Sequence, residues 1–447
     1  MAVGYWPGIM IDDTRWQYQQ ALDNAYEDWH PPLMAWIWRH LAPIHTGPAP
    51  MLVLQLALYW IGIGLFAWWA RAIGRPKLAV ALVLVGWIPA PLALCGTITK
   101  DGLMAGALGC SAGLLFVRTL AQSGSARAAY SAGAIAFIGL AAALRFNAAV
   151  ACVPLLLVAL PDMFTRTNAR LAVTAVVGSL SLIAIGPLIN VLLNAEKTDV
   201  GLSLIIFDLG GITEHSGVSQ FPNLNLRNPV AINHRCYDPN MWDTYSSWAR
   251  TPCQLGFDAI QSAKDNGDAD PLRLWASAVE HHPLAYAQHR LTHFNLSTDF
   301  MVATGPIFTA WVQSVDNPWG FQVSRNPILA SVSHATIVAA HTPIGWPIFW
   351  IAVALAALVA SALMRAPPVV IAIAASSLLY GLSYLVVGVA VGMRYYLWTI
   401  TGAGLAAVVV AGLLIEQGKM ANRLAIASAF AIVAVPTSLA CLARALL

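Results

Sequence analysis

The sequence predicts an all-α polytopic membrane protein of about ten spans, with outer juxtamembrane helices at its amino terminus and one large extracytoplasmic loop. Three observations carry that prediction. Hydrophobic residues make up 58% of the 447 and charged residues only 10%, a balance foreign to soluble domains. Apolar runs near the length of a bilayer crossing recur along the chain. A single long polar segment, 194–345, divides them. Mean hydropathy is +0.66. The net charge of +3 is too small, and its cations too scattered, for a nucleic-acid surface.

Residues 1–49 form the first outer segment. No basic region followed by an apolar run opens the chain, so no cleavable signal peptide is expected. Asp12 and Asp13 precede Thr14-Arg15-Trp16-Gln17, where a helix begins; Asp13 there is either its cap or a chemically active carboxylate. Asp28-Trp29-His30-Pro31-Pro32 follows. The two prolines restrict the backbone and place Asp28 and His30 on a stiff turn.

Spans are expected at 50–70, 78–98, 102–118, 129–144, 148–164 and 171–193, giving a transmembrane region 50–193, then at 346–364, 368–391, 396–415 and 424–445 within 346–447. The short runs 102–118, 129–144 and 148–164 are read as tilted or buried in protein. Alternate connections hold Arg71, Arg75 and Lys77, then Arg118 and Arg127, Arg166 and Arg170, Arg365, and finally Lys419 and Arg423, which makes them cytoplasmic. Both termini and the long loop then face outward. Lys100, Arg145 and Arg394 lie on that outer side against the charge rule, as functional residues do.

The 194–345 segment is expected to be a small extracytoplasmic domain. Cys236 and Cys253 lie in it, and an oxidising compartment favours a disulfide between them; Cys95, Cys110, Cys152 and Cys441 fall in apolar spans as packing residues. Leu272–Phe300 reads as one amphipathic helix at the membrane surface. Phe207-Asp208-Leu209-Gly210-Gly211 with Glu214-His215 reads as a turn, and His281-His282-Pro283 and His289-Arg290 as interfacial polar tips rather than metal ligands. The seventeen tryptophans suit an interfacial belt and loop core.

Asp-Asp followed some fifteen residues later by Asp28-x-His30-Pro31-Pro32 resembles the first outer loop of GT-C glycosyltransferases, the superfamily of protein O-mannosyltransferases and aminoarabinose transferases, and most closely their bacterial family-39-like members. Thr99-Lys100-Asp101 is similar to that family's Lys-Asp, Leu144-Arg145-Phe146-Asn147 to its Arg-x-Asn, and Gly392-Met393-Arg394-Tyr395-Tyr396 to its late Arg-Tyr motif. The resemblance spans Asp12 to about Ala411. It implies a GT-C-like helix bundle, an inverting transfer of a sugar from a polyprenyl-phosphate donor to an outer hydroxyl, and a carboxylate base: Asp13 first, Asp12 second. Lys100, Arg145 and Arg394 would hold the donor phosphate, and Asp28, His30, Asp101 and Tyr395 would support the centre. Asp28, His30 and Asp101 also suit a divalent metal ion. Family members place a transmembrane helix before the first outer loop, whereas this chain starts almost at the Asp pair, so a missing helix or a downstream start is expected.

The acceptor class stays open between glycan, lipid and protein, with a bacterial inner membrane and a periplasm-facing site expected. Two other classes share the composition. A lipid-linked sugar flippase or transporter would place charges near the midplane and show inverted repeats, which this chain lacks. A polymerase or ligase of the O-antigen type shares the many spans and large loop, but not the amino-terminal motif.

Overall fold

The structure is a computed structural model that describes residues 2–303, 310–417 and 422–446. Lys419, one of the expected cytoplasmic cations, lies outside the described residues. Among them the fold is helical throughout, with only three isolated β-bridges.

In chain order the first helices are α1 (Ala2–Tyr5), α2 (Asp12–Asp23), α3 (Leu33–Leu41), α4 (Ala49–Ala72), α5 (Pro76–Val85), α6 (Pro89–Leu94), α7 (Lys100–Arg118), α8 (Gly124–Leu144), α9 (Ala148–Ala159) and α10 (Asn168–Leu192). Next come α11 (Gly201–Ser216), α12 (Pro229–Cys236), α13 (Phe257–Asp265), α14 (Pro271–His281) and α15 (Pro283–Ser297). The chain ends with α16 (Pro327–Ala340), α17 (Pro347–Leu363), α18 (Pro368–Val387), α19 (Leu397–Gln417) and α20 (Arg423–Leu446). Two compact units emerge. The first gathers Met1–Glu196, Pro306–Gly381 and Met393–Cys441; the second gathers Lys197–Gly305, Leu382–Gly392 and Leu442–Leu447. Residues 310–345 of the long polar segment thus belong with the first unit.

Seven helices among the described residues are long and apolar enough to cross a membrane: α4, α7, α8, α10, α18, α19 with the 3₁₀ turn before it, and α20. The chain is therefore an integral membrane protein. The sequence expected about ten such spans, and the difference has local causes. The 78–98 run is cut into α5 and α6, because the chain turns at Gly86 and restarts at Pro89, whose ring cannot continue a helix. The 148–164 run yields only the twelve residues of α9, which carry Pro154 and stop before Pro161. The 346–364 run becomes the seventeen residues of α17.

Within the first unit, α7 forms the centre. Of its apolar window 94% is buried, against 6% for α10 and 11% for α20, whose outward Leu and Val side chains make a surface suited to lipid. Helix α7 lies close along α4 because small residues face each other. A Cβ added at Gly62 would come within 2.8 Å of the Gly109 backbone, and one at Gly106 within 2.7 Å of the Leu58 side chain. Gly102, Gly106, Gly109 and Gly113 thus open a row into which α4 settles, as small residues do in membrane helix pairs.

The outer segment 1–49 folds on itself through aromatics. Tyr18 on α2 and Trp38 on α3 have ring centroids 4.9 Å apart. The Gly47 amide donates to the Tyr18 hydroxyl at 3.0 Å, and the Gly47 carbonyl accepts from Trp38 Nε1 at 3.0 Å. Pro31 and Pro32 end the preceding turn and lead into α3, which starts at Leu33.

The second unit is built around α11, packed by α14 and α15. The expected single helix over Leu272–Phe300 is two, because Pro283 lacks an amide proton and starts α15 anew after His282. The expected turn at Phe207–Gly211 is instead the middle of α11. Gly210 and Gly211 are there to admit neighbours: a Cβ would meet Tyr245 Oη at 2.4 Å and the His289 ring at 2.1 Å. Cys236 and Cys253 are joined by a disulfide.

Candidate functional site

Backbone pairing brings the amino-terminal segment to the start of α7. The Ile9 amide donates to the Gly96 carbonyl at 3.2 Å, and the Ile98 amide donates to the Ile9 carbonyl at 2.9 Å, forming a parallel bridge. The Thr14 hydroxyl donates to the Ile98 carbonyl. From α4, the fully buried amide of Gln55 donates to the carbonyls of Cys95 at 2.9 Å and Thr97 at 2.8 Å, and its oxygen accepts the Thr99 amide at 3.1 Å. The side chain of Thr99 then caps α7 by accepting from the Gly102 amide. These contacts hold the first turns of α2 and α7 side by side.

Asp13 sits in that first turn of α2, while Ile11 occupies the cap position without a side-chain bond. Asp13 is therefore free of capping duty. Its Oδ2 accepts from Arg394 Nη1 at 2.9 Å and lies 4.0 Å from Lys100 Nζ, while Oδ1 lies 3.8 Å from His30 Nε2. The Lys100 ammonium donates to His30 Nδ1, which leaves the ring proton on Nε2, facing Asp13. Arg394 stands on the short 3₁₀ turn Met393–Tyr396 before α19, its Nη2 3.3 Å from the Tyr395 hydroxyl. The guanidinium carbons of Arg394 and Arg145 lie 5.1 and 5.2 Å from the Tyr395 ring centre, within cation–π range.

Arg145 follows the last residue of α8, and its Nε is 3.2 Å from Oδ1 of the wholly buried Asp101. No aligned hydrogen bond joins these two atoms, so charge holds the pair. Around His30, the basic side chains of Lys100, Arg145 and Arg394 face the carboxylates of Asp13 and Asp101. Burial alone would raise the Asp13 pKa, but Arg394, the His30 ring and Lys100 outweigh it and hold the carboxyl well below the usual range. Burial, then Lys100, with Arg394 and Arg145 adding and Asp13 opposing, pushes His30 down to about 3.

Asp13, His30, Lys100, Asp101, Arg145, Arg394 and Tyr395 thus come together from five separate stretches of chain. Asp12 does not join them. One helical position away it turns to solvent, with its Oδ1 3.5 Å from Arg15 Nη2. Asp28 uses its amide to donate to the Glu196 carbonyl at 2.9 Å. Asp28, His30 and Asp101 do not form a metal set: among the described residues no group of three or more His, Cys, Asp or Glu is gathered that could hold an ion. His30 Nδ1 is taken by an ammonium and Asp101 by a guanidinium, so the donors a metal would need already face cations. Gln55 and Thr14 were missed by sequence reasoning. An amide inside the otherwise apolar 50–70 run was the available signal for Gln55.

The second unit holds a separate charged cluster. Asp208 on α11 accepts from Trp275 Nε1 at 2.8 Å, while its Oδ1 pairs by charge with Arg290 Nη2 at 2.6 Å and lies 3.3 Å from His289 Nε2. His289 Nδ1 bonds the Tyr237 hydroxyl at 2.9 Å, and Arg290 donates to the Gly388 carbonyl at 2.6 Å. Burial dominates the His289 shift and lowers its pKa against the pull of Asp208. This cluster ties α11, α14 and α15 together by setting opposite charge and one indole donor around a buried carboxylate.

No protein-family model and no curated protein matches the chain. Among solved structures it is similar to ArnT from Cupriavidus metallidurans, bound to undecaprenyl phosphate and in the apo state. Identity is 14% in both, TM-scores are 0.33 and 0.32, and coverage is 92% of this chain and 74% of those chains. A likeness at this level establishes no shared activity, and the chemistry below rests on the residues themselves.

Proposed function

We propose that the chain is an integral membrane glycosyltransferase of GT-C type, moving a sugar from a polyprenyl-phosphate donor to an acceptor hydroxyl on the outer side of the membrane. The observation that carries this reading is one carboxylate, Asp13, surrounded by Lys100, Arg394 and the Nε2 proton of His30, with Arg145 beside them. Such a site combines a proton acceptor with cations suited to a phosphate.

In the reaction the acceptor oxygen attacks the anomeric carbon opposite the phosphate, and the bond from that carbon to the phosphate oxygen breaks. The phosphate leaves with the electron pair, and the acceptor proton passes to Asp13. The anomeric configuration inverts. Lys100, Arg145 and Arg394 neutralise the charge that grows on the leaving phosphate. Tyr395 steadies both guanidinium groups, and Asp101 anchors Arg145 from its buried side. The acceptor is a glycan, a lipid or a protein.

The test is transfer of a labelled sugar from a polyprenyl-phosphate donor in membranes. Asp13→Asn should lower the rate at least about 100-fold, the scale of a lost general base, with expression and membrane insertion unchanged. Wild-type transfer by that variant would sink the assignment.

A further inference from the structure

We propose that Asp13 is a built-in competitor for the donor phosphate: its Oδ2 takes the cation positions a phosphate oxygen needs, so donor binding must release Asp13 from Arg394 before the carboxylate can serve the acceptor. The inference rests on the function proposed above.

The geometry points that way because both partners of Oδ2 are phosphate-binding candidates. Arg394 Nη1 is at 2.9 Å and Lys100 Nζ at 4.0 Å from the same oxygen. A carboxylate so engaged is a poor proton acceptor, since two cations stabilise its charged form. The donor carries a phosphodiester anion, and its oxygens match the same ammonium and guanidinium protons. Asp13 and the donor phosphodiester would draw on the same Arg394 and Lys100 side chains, so both cannot hold them fully. When the diester draws Arg394 and Lys100 away, Asp13 loses the charges that hold its proton affinity down. It becomes a competent base only once the sugar is in place.

His30 stands on the other side of the carboxylate, close enough for its Nε2 proton to attract Oδ1 as Oδ2 is freed. Its Nδ1 is fixed by Lys100 and its Nε2 proton faces Oδ1, 3.8 Å away, so one oxygen keeps its orientation while the other exchanges partners. After transfer, Asp13 holds the acceptor proton and is neutral, and the leaving polyprenyl phosphate keeps the cations. Loss of that proton to water restores the carboxylate, which reclaims Arg394 and helps displace the product. Donor binding thus precedes useful proton transfer, and product release follows deprotonation.

The experiment measures affinity of undecaprenyl phosphate for the full-length protein in lipid nanodiscs. Asp13→Asn should bind at least about tenfold more tightly than wild type, and Asp13→Ser, a second neutral replacement, should show the same gain should the first misfold. In an Arg394→Gln background the gain from Asp13→Asn should fall below about twofold, because the contested partner is gone. Asp12→Asn removes an equal charge one residue away and should change affinity by less than about twofold. Equal or weaker binding by the Asp13 variants, or a gain that persists without Arg394, overturns the proposal while leaving the transferase reading standing. If neither wild type nor any variant binds the lipid, the functional reading fails together with it.

Discussion

His30 shows how far one side chain can be taken from its ordinary chemistry. Buried beside an ammonium and two guanidinium groups, it stays neutral down to about pH 3, whereas its unfolded value is 6.5. A histidine with a depressed folded pKa lends stability above pH 6.5 and loses it as pH falls toward the folded value, because only the unfolded chain takes up the proton in that window. By pH 5.5 the loss from this one group approaches about 1.4 kcal/mol. His30→Gln retains a donor and an acceptor but cannot titrate. Its stability should fall by that much less than that of wild type between pH 7.5 and 5.5, seen as a smaller drop in the thermal inactivation midpoint. His289 and His293 contribute equally to both proteins and drop out of the comparison. Parallel acid slopes would show that His30 is not the neutral group between Lys100 and Asp13. Asp13, held below the usual carboxylate range, adds acid sensitivity only below about pH 4, outside the window of the measurement.

Helix α7 carries Lys100 and Asp101, so its seat against α4 sets where those charges stand. Gly62 and Gly64 on α4 make a matched pair of tests, since a Cβ at Gly62 would strike the Gly109 backbone at 2.8 Å and one at Gly64 would meet nothing within 4 Å. Gly62→Ala should cost about 1–3 kcal/mol through overpacking and lower both the inactivation temperature and transfer. Gly64→Ala should be neutral or slightly stabilising, as alanine favours the helix. Equal effects from the two would mean α4 and α7 are not in contact along this row. Much of this site was legible in the sequence. Lys100, Arg145 and Arg394 stood out because ionisable groups at the outer ends of apolar runs are rare and costly, and Asp13 because it precedes Asp28-x-His30-Pro31-Pro32 in the outer segment. The partner choices were not legible. Nothing in the adjacent letters of Asp12 and Asp13 says which carboxylate faces inward; a 100° step around α2 decides it. The glycine row of α7 passed unread because small residues in an apolar run raise no hydropathy signal, and the breaks at Gly86 and Pro283 cut helices that periodicity alone joins.

On the scale of the molecule, charge is separated along the helices. Helices α7 and α19 begin at the site, near Lys100 and Arg394, and run to Arg118 and Glu416 at their far ends, where Glu416 pairs with Arg75. Nineteen residues of α7 span about 28 Å, close to the apolar thickness of a bilayer. Arg71, Arg75, Lys77 and Arg118 therefore gather at the face opposite Asp13, and the function proposed above requires that face to be the cytoplasmic one, as the charge rule also expects. The proposed orientation requires the second unit to meet an oxidising compartment, where its Cys236–Cys253 bond can persist. With a sequence separation of 17 between the cysteines, the crosslink should contribute about 3 kcal/mol to that unit. Protein isolated from cells under thiol-blocking conditions should show these two cysteines oxidised, and after mild reduction a membrane-impermeant maleimide should label them from outside intact spheroplasts. Cys236→Ser with Cys253→Ser should expose the second unit to protease at lower temperature while the first unit keeps its resistance. Free thiols at both positions in untreated cells, or labelling only after the membrane is opened, would invert the orientation and place Asp13 on the cytoplasmic side, where an acceptor outside the cell could not reach it.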